Sequence, residues 1–114
     1  MAQIVTEKRL RPRIDSHTPL RYQIRGDIQH YHTISNNLSE KGISFRNPCF
    51  LSPGTAVMLE FSLLKNTLRP IGRVRWSQQL PHSHQYQIGV EFIEFQPQER
   101  NFLGDFIHLQ LGTL

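Results

Sequence analysis

Hydrophobic and polar residues alternate with a period of two over several short stretches of the chain, a pattern typical of half-buried β-strands. The alternation is strictest over residues 57–63, where every second side chain is apolar. It recurs over residues 20–25, which place Leu20, Tyr22 and Ile24 on one face. We expect about six strands in total, the remaining ones at residues 31–35, 42–46, 71–76 and 86–92.

The turn signals and the end of the chain complete this outline. Residues 52–55 read Ser-Pro-Gly-Thr and predict a turn, and Lys65-Asn66 indicates a hairpin connection. After Pro97 the apolar residues follow the 3.6-residue period of an amphipathic helix as far as Gly112. We therefore predict a mainly β fold, a small antiparallel barrel plugged or flanked by a C-terminal helix over residues 97–111. The pattern leaves open whether this helix belongs to the core or forms a partner surface.

Charge is concentrated at the start of the chain. The net charge is +4, and residues 1–25 carry six basic and two acidic side chains, so the whole excess lies there. Pro12 lacks a backbone N–H and disfavours helix at Arg11. We expect residues 1–13 to form a flexible basic arm and residues 14–114 to form the barrel and helix. Such an arm suits a polyanionic partner, although a solvated basic arm that aids solubility has the same composition.

Bulk properties exclude several classes of protein. A length of 114 residues with 38% hydrophobic and 19% charged residues is typical of one globular domain. No apolar stretch approaches the roughly 20 residues that span a bilayer, and the first residues lack the features of a secretory signal. Cys49 is the single cysteine, so no internal disulfide is possible, and we expect its side chain to be buried. These features predict a cytoplasmic protein.

Two short motifs supply complementary chemistry. Arg9 and Arg13 form R-x-x-x-R, and about twenty residues later Asn37, Ser39 and Gly42 form N-x-S-x-x-G. In this order and spacing the motifs resemble those of the PilZ family of receptors for cyclic di-GMP (c-di-GMP). The resemblance runs from about residue 7 to residue 109, because residues 72–76 (Gly-Arg-Val-Arg-Trp) and 88–92 (Ile-Gly-Val-Glu-Phe) look like later strands of that family.

The resemblance implies a role for each motif residue. Arg9 and Arg13 would bind phosphate or the O6 and N7 atoms of guanine through their planar guanidinium groups. Asn37 would contact a guanine or shape the turn, and Ser39 would donate a hydrogen bond to a phosphate or base. Gly42 would permit a close backbone approach or a positive φ. Without the resemblance, the second motif is also typical of an ordinary capped β-turn.

Neighbouring cations are secondary candidates. Lys8 precedes the arginine motif, where the resemblance implies an influence on whether one ligand or an intercalated dimer binds. Arg11 lies between the motif arginines and would face solvent or a phosphate. Arg73 and Arg75 share one strand face, which is either an extension of the ligand surface or ordinary exterior. Trp76 is expected in the core rather than as a stacking platform.

The resemblance implies a receptor or adaptor whose N-terminal arm becomes ordered when c-di-GMP binds and which signals to a separate protein in motility, biofilm or virulence control. Two alternatives stay open: a PilZ-like interaction module that binds no nucleotide, and a barrel that binds single-stranded nucleic acid. The sequence contains no catalytic motif, so we predict no enzyme and no cofactor besides the ligand. The pairs His30/His32 and His82/His84 have a spacing that metals use, but we interpret them as exposed loop residues and predict no metal site.

Overall fold

A computed structural model describes residues 13–112 of the chain. Within that range it contains eight strands and one helix. The strands are β1 (Arg13–Asp15), β2 (Pro19–Ile24), β3 (Tyr31–Ser39), β4 (Gly42–Asn47), β5 (Ala56–Leu63), β6 (Asn66–Leu68), β7 (Ile71–Gln79) and β8 (Tyr86–Glu94), and the helix is α1 (Pro97–Leu111).

Six of the strands close into a ring. Their order is β3-β2-β5-β7-β8-β4, and β4 pairs back onto β3 to complete the barrel. All the pairings are antiparallel. The two remaining strands extend the ring at its margins, β1 along β3 and β6 along β5. The prediction of a small, mainly β, six-stranded antiparallel barrel with a C-terminal helix is confirmed.

The alternating pattern places one face of each strand in the core. On β5 every second residue from Val57 to Leu63 is buried, and on β2 the same holds for Leu20 and Tyr22. Burial of each large apolar side chain stabilises the fold by roughly 1.5–3 kcal/mol. The outward-facing positions of the same strands are left for polar residues and for surface chemistry.

The predicted turns form as the sequence indicates, one of them displaced by a residue. The Thr55 N–H donates to the Ser52 carbonyl oxygen at 3.1 Å, and Gly54 has φ +96°, as a type II turn after Pro53 requires. The hairpin between β5 and β6 turns at Leu64 and Lys65, both with positive φ, so Asn66 already belongs to the next strand.

Helix α1 contributes one face to the core. It begins at Pro97, buries Leu103 and Ile107 in the main hydrophobic cluster, and ends at Leu111, where Gly112 caps it with a left-handed φ of 72°. Its opposite face is solvent-exposed, for example at Leu109. No helix within residues 13–112 is long and apolar enough to cross a membrane.

The expectation that Cys49 is buried is wrong. Cys49 is exposed, because the chain leaves the barrel after β4 and residues 48–50 lie on the outside. Its backbone is tied to the barrel, since the Asn47 side-chain amide donates to the Cys49 carbonyl oxygen at 2.8 Å.

A buried polar pair links β2 to β4. The Tyr22 hydroxyl donates to Oδ1 of Asn47 at 2.7 Å, and both side chains are almost completely buried. Burial disfavours the phenolate and raises the pKa of Tyr22 to about 12. The pair therefore stabilises the barrel only while Tyr22 is protonated.

Replacing Tyr22 with phenylalanine removes the donor and leaves the buried Asn47 oxygen without it. We expect Tyr22→Phe to lower the free energy of unfolding by about 1–3 kcal/mol in denaturant titration at neutral pH. The pKa of Tyr22 is about 12 in the folded protein and about 10 in the unfolded chain. The folded state is therefore fully favoured below pH 10 and loses stability as the pH rises from 10 towards 12. The wild type should therefore lose more stability than the variant between pH 10 and 12. Equal stability of the wild type and Tyr22→Phe at neutral pH would contradict the buried hydrogen bond between Tyr22 and Asn47.

Candidate functional site

The outer wall of the barrel carries a cavity of about 180 Å³. It lies on the outside of the barrel, where the exposed side chains of Lys41, Arg75 and Trp76 border it. Strands β1, β3, β4, β7 and β8 all contribute to it. The polar, glycine and aromatic residues of its lining are Arg13, Asn37, Ser39, Lys41, Gly42, Ser44, Arg75, Trp76, Gly89 and Glu91.

The second motif forms one wall of the cavity, but Asn37 and Ser39 do not lie in a turn. Both belong to β3, which is longer than the sequence suggests, and the turn consists of Glu40 and Lys41. The Ser39 hydroxyl oxygen accepts the N–H groups of Lys41 at 3.1 Å and Gly42 at 3.2 Å, so this side chain fixes the turn. The capped-turn alternative therefore holds for Ser39, which also lines the cavity.

Gly42 allows two strand backbones to approach closely and is not needed for a positive φ. It starts β4 opposite Glu91, and a Cβ there would overlap the carbonyl oxygen of Val90. Its φ is not among the positive values found in the described chain. Of the two predicted roles, close packing of backbones is the one the structure shows.

Trp76 lines the cavity, so the expectation that it belongs to the core is wrong. A bulge at Arg75 separates the pair Val74–Val90 from the pair Trp76–Gly89. The extra residue shifts the alternation by one, so Val74 points inward and Trp76 points outward with 40% of its surface exposed. The indole covers Gly89, where a Cβ would overlap its ring. The glycine within the alternating run of β8 is the sequence signal for this arrangement.

The charged residues of the cavity are mostly cationic. Arg13 opens β1 opposite Ser39, and Lys41 and Arg75 both pair with the carboxylate of Glu91. The Arg75 guanidinium, which donates to Glu91, holds the pKa of that carboxyl below its usual range. Three cations against one carboxylate give the described lining a net charge of +2.

The cavity thus brings together five of the predicted residues: Arg13, Asn37, Ser39, Gly42 and Arg75. Arg73 is directed elsewhere, because its Nη1 donates to the Gly54 carbonyl oxygen at 3.1 Å. Lys8, Arg9 and Arg11 lie outside the described residues, as does the arm up to residue 12.

Among the lining residues that sequence reasoning missed, Lys41, Gly89 and Glu91 bear most on the chemistry of the cavity. The glycine left a signal in the pattern of β8, whereas the contacts of the two charged residues depend on pairing between strands distant in sequence. Within residues 13–112, no three His, Cys, Asp or Glu side chains are placed to hold a metal ion.

Barrel and cavity together define a class of protein, a small closed β-barrel with a cationic recess and an exposed tryptophan on its outer wall. A family model described as PilZ domain matches residues 7–109. The chain therefore belongs to the PilZ domain family. No curated protein matches the chain in sequence.

Several solved structures share the fold. The inhibitor of motility MotI/DgrA from Bacillus subtilis has a TM-score of 0.77 at 21% identity, with 91% of this chain and 52% of that one covered. YcgR in complex with c-di-GMP from Escherichia coli has a TM-score of 0.75 at 13% identity, covering 92% and 46%. The PilZ domain of YcgR with c-di-GMP, also from Escherichia coli, has a TM-score of 0.63 at 11% identity, covering 94% and 99%. The chain spans about half the length of the first two proteins, and these likenesses show the fold alone.

The contact between Gly89 and the indole generates a direct prediction. In Gly89→Ala the new methyl group occupies the space of the ring, so Trp76 must move further into solvent. Because Trp76 is the only tryptophan of the chain, its fluorescence reports this movement. We expect emission at longer wavelength with the barrel still folded by circular dichroism. Gly104→Ala is the control, because its Cβ meets only ordinary contacts. Unchanged emission in Gly89→Ala would contradict the described packing.

Proposed function

We propose that this chain is a cytoplasmic receptor for c-di-GMP and binds it in the cavity described above. The observation that carries the proposal is the position of Trp76, an exposed aromatic ring, among the cations Arg13, Lys41 and Arg75. An aromatic ring stacks on a base and cations bind phosphates. A cyclic dinucleotide carries two bases and two phosphates. Membership of the PilZ family and the two YcgR structures that contain c-di-GMP support the same ligand.

Trp76 is the proposed platform for a guanine base. Gly89 has no side chain, so the indole lies close against β8 and is held there by the barrel. Stacking of a base on an aromatic side chain contributes roughly 1–3 kcal/mol. The ring is already positioned, so little side-chain entropy is lost when the base arrives.

The motif residues would surround the base and the phosphates. Arg13 lies beside Ser39 and would bind a phosphate or the Hoogsteen edge of guanine. The Ser39 oxygen already accepts two backbone N–H groups, and its hydroxyl donates only a long bond of 3.5 Å to the Gly42 carbonyl oxygen, which a phosphate can replace. Its hydroxyl proton is therefore available to a ligand phosphate. Asn37 would contribute its side-chain amide.

The size of the cavity indicates that a second element completes the site. A volume of about 180 Å³ is below the roughly 300–1,000 Å³ of typical ligand pockets, and it suits one base rather than a dinucleotide. We propose that residues 1–12, which carry Arg9, Arg11 and Lys8, close over the ligand from the side of β1. A separate downstream protein in motility, biofilm or virulence control would bind the new surface that forms in this way.

The contribution of the arginine motif is tested by calorimetry. We expect saturable binding of c-di-GMP to the wild type, and a tenfold to hundredfold weaker affinity in Arg13→Ala, equivalent to about 1.5–3 kcal/mol. Arg25→Ala is the matched control, because it removes the same charge from an exposed arginine outside the cavity. Cyclic di-AMP serves as the specificity control and should bind much more weakly.

Two outcomes would contradict the proposal. Absence of heat and of any shift in melting temperature at high c-di-GMP would show that the chain is no receptor for it. Equal losses in Arg13→Ala and Arg25→Ala would show that bulk charge and not this cavity governs binding. Strong binding of single-stranded oligonucleotides with steep salt dependence would instead favour a nucleic-acid-binding barrel.

Replacement of Trp76 tests the stacking platform separately from the charges. We expect Trp76→Ala to weaken c-di-GMP binding by about fivefold to 150-fold, corresponding to roughly 1–3 kcal/mol, and Trp76→Phe to retain part of the affinity. Phe50→Ala removes an aromatic ring of similar exposure outside the cavity and should leave binding unchanged. Wild-type affinity in Trp76→Ala would exclude the stacking role.

A further inference from the structure

Glu91 is a carboxylate within a cavity that is otherwise suited to anions. It is the single acidic residue among the described residues of the lining, and it lies on β8 directly opposite Gly42. A fixed negative charge at this position opposes the binding of any phosphate. Its presence therefore calls for a specific role.

The contacts of Glu91 involve two of the three cations in the cavity. Nε of Arg75 is 2.5 Å from Oε1, and Nζ of Lys41 is 3.8 Å from Oε2. Each oxygen of the carboxylate thus holds a different cation, one from the bulge of β7 and one from the turn between β3 and β4. A phosphate that entered the cavity would bind these same groups.

Both cations are free to change partners. The side chains of Arg75 and Lys41 are 53% and 50% exposed, whereas that of Glu91 is 29% exposed. Ion pairs between exposed groups are weak, so each cation can turn from Glu91 to a ligand at little cost. The carboxylate itself stays ionised at neutral pH, because the Arg75 guanidinium lowers its pKa.

We infer that Glu91 is a built-in counter-ion that competes with the ligand for Arg75 and Lys41 and so determines which anions the cavity retains. The inference rests on the proposed function and adds to it a basis for selectivity. An anion that offers charge alone must displace the carboxylate with no other gain. A ligand that also stacks on Trp76 has a second source of affinity. The cost of the competition grows with the negative charge brought next to Glu91, so it is larger for a compact, highly charged phosphate than for c-di-GMP, whose two phosphates carry one charge each.

The charge of the site agrees with this role. With Glu91 ionised the described lining carries +2. Without the carboxylate the lining would carry +3 and attract polyanions of every kind. Glu91 therefore lowers the affinity of the cavity for anions in general and raises its selectivity among them.

The test compares Glu91→Gln with Glu94→Gln. Both variants lose one negative charge from β8, but Glu94 is exposed and lies outside the cavity, so it controls for net charge. Inorganic pyrophosphate is the probe for simple anions, followed by the emission of Trp76 at low ionic strength. We expect Glu91→Gln to bind pyrophosphate about threefold to tenfold more tightly than Glu94→Gln. The ratio of c-di-GMP affinity to pyrophosphate affinity should fall in Glu91→Gln alone.

The other outcomes are equally decisive. Equal gains in both variants would overturn the inference and leave the receptor proposal intact. Weaker c-di-GMP binding in Glu91→Gln, together with lost discrimination against cyclic di-AMP, would also overturn it, because the carboxylate would then read the N1–H and N2–H donors of guanine. A selective pyrophosphate gain in a protein that does not bind c-di-GMP would support the counter-ion and refute the proposed ligand.

Discussion

The pairing of β4 with β8 is the contact on which the rest of the structure depends. Six residue pairs from Gly42–Glu91 to Asn47–Tyr86 join these strands, and the hairpin to β3 joins β4 to the other end of the sheet. At the first of these pairs Gly42 has no side chain, and a Cβ there would overlap the carbonyl oxygen of Val90. Closure also brings the motif residues of β3 next to Gly89 and Glu91 of β8, so the same contact builds the barrel and the cavity.

Irregularities in β7 and β3 determine which side chains lie on this outer wall. The bulge at Arg75 places both Arg75 and Trp76 outside the core, where regular alternation from Val74 would have buried the tryptophan. A second irregularity at Asn36 interrupts the pairing of β3 with β4 just before Asn37. The positions of Arg75 and Trp76 in the cavity thus follow from a local departure from a regular strand.

The sequence pattern predicts the regular strands correctly and fails where a strand contains a bulge. Alternation predicts β5 and the inward face of β2 because those strands are regular, and the N-x-S-x-x-G spacing locates three residues that do line one cavity. The same alternation wrongly places Trp76 in the core, because a bulge leaves no mark in the period of the pattern. The contact of Lys41 with Glu91 has no sequence signal, because fifty residues separate them and their meeting depends on strand pairing alone.

The central claim is that c-di-GMP binds on the outer wall between β3, β4, β7 and β8. Amide and indole chemical shifts of ¹⁵N-labelled protein during a titration with c-di-GMP test it most directly. The account predicts the largest changes at the Trp76 indole N–H and at the amides of Ser39, Gly42 and Gly89. Changes centred instead on the opposite wall, at Arg21, Glu60 and Ser62, or no changes at saturating ligand, would contradict it.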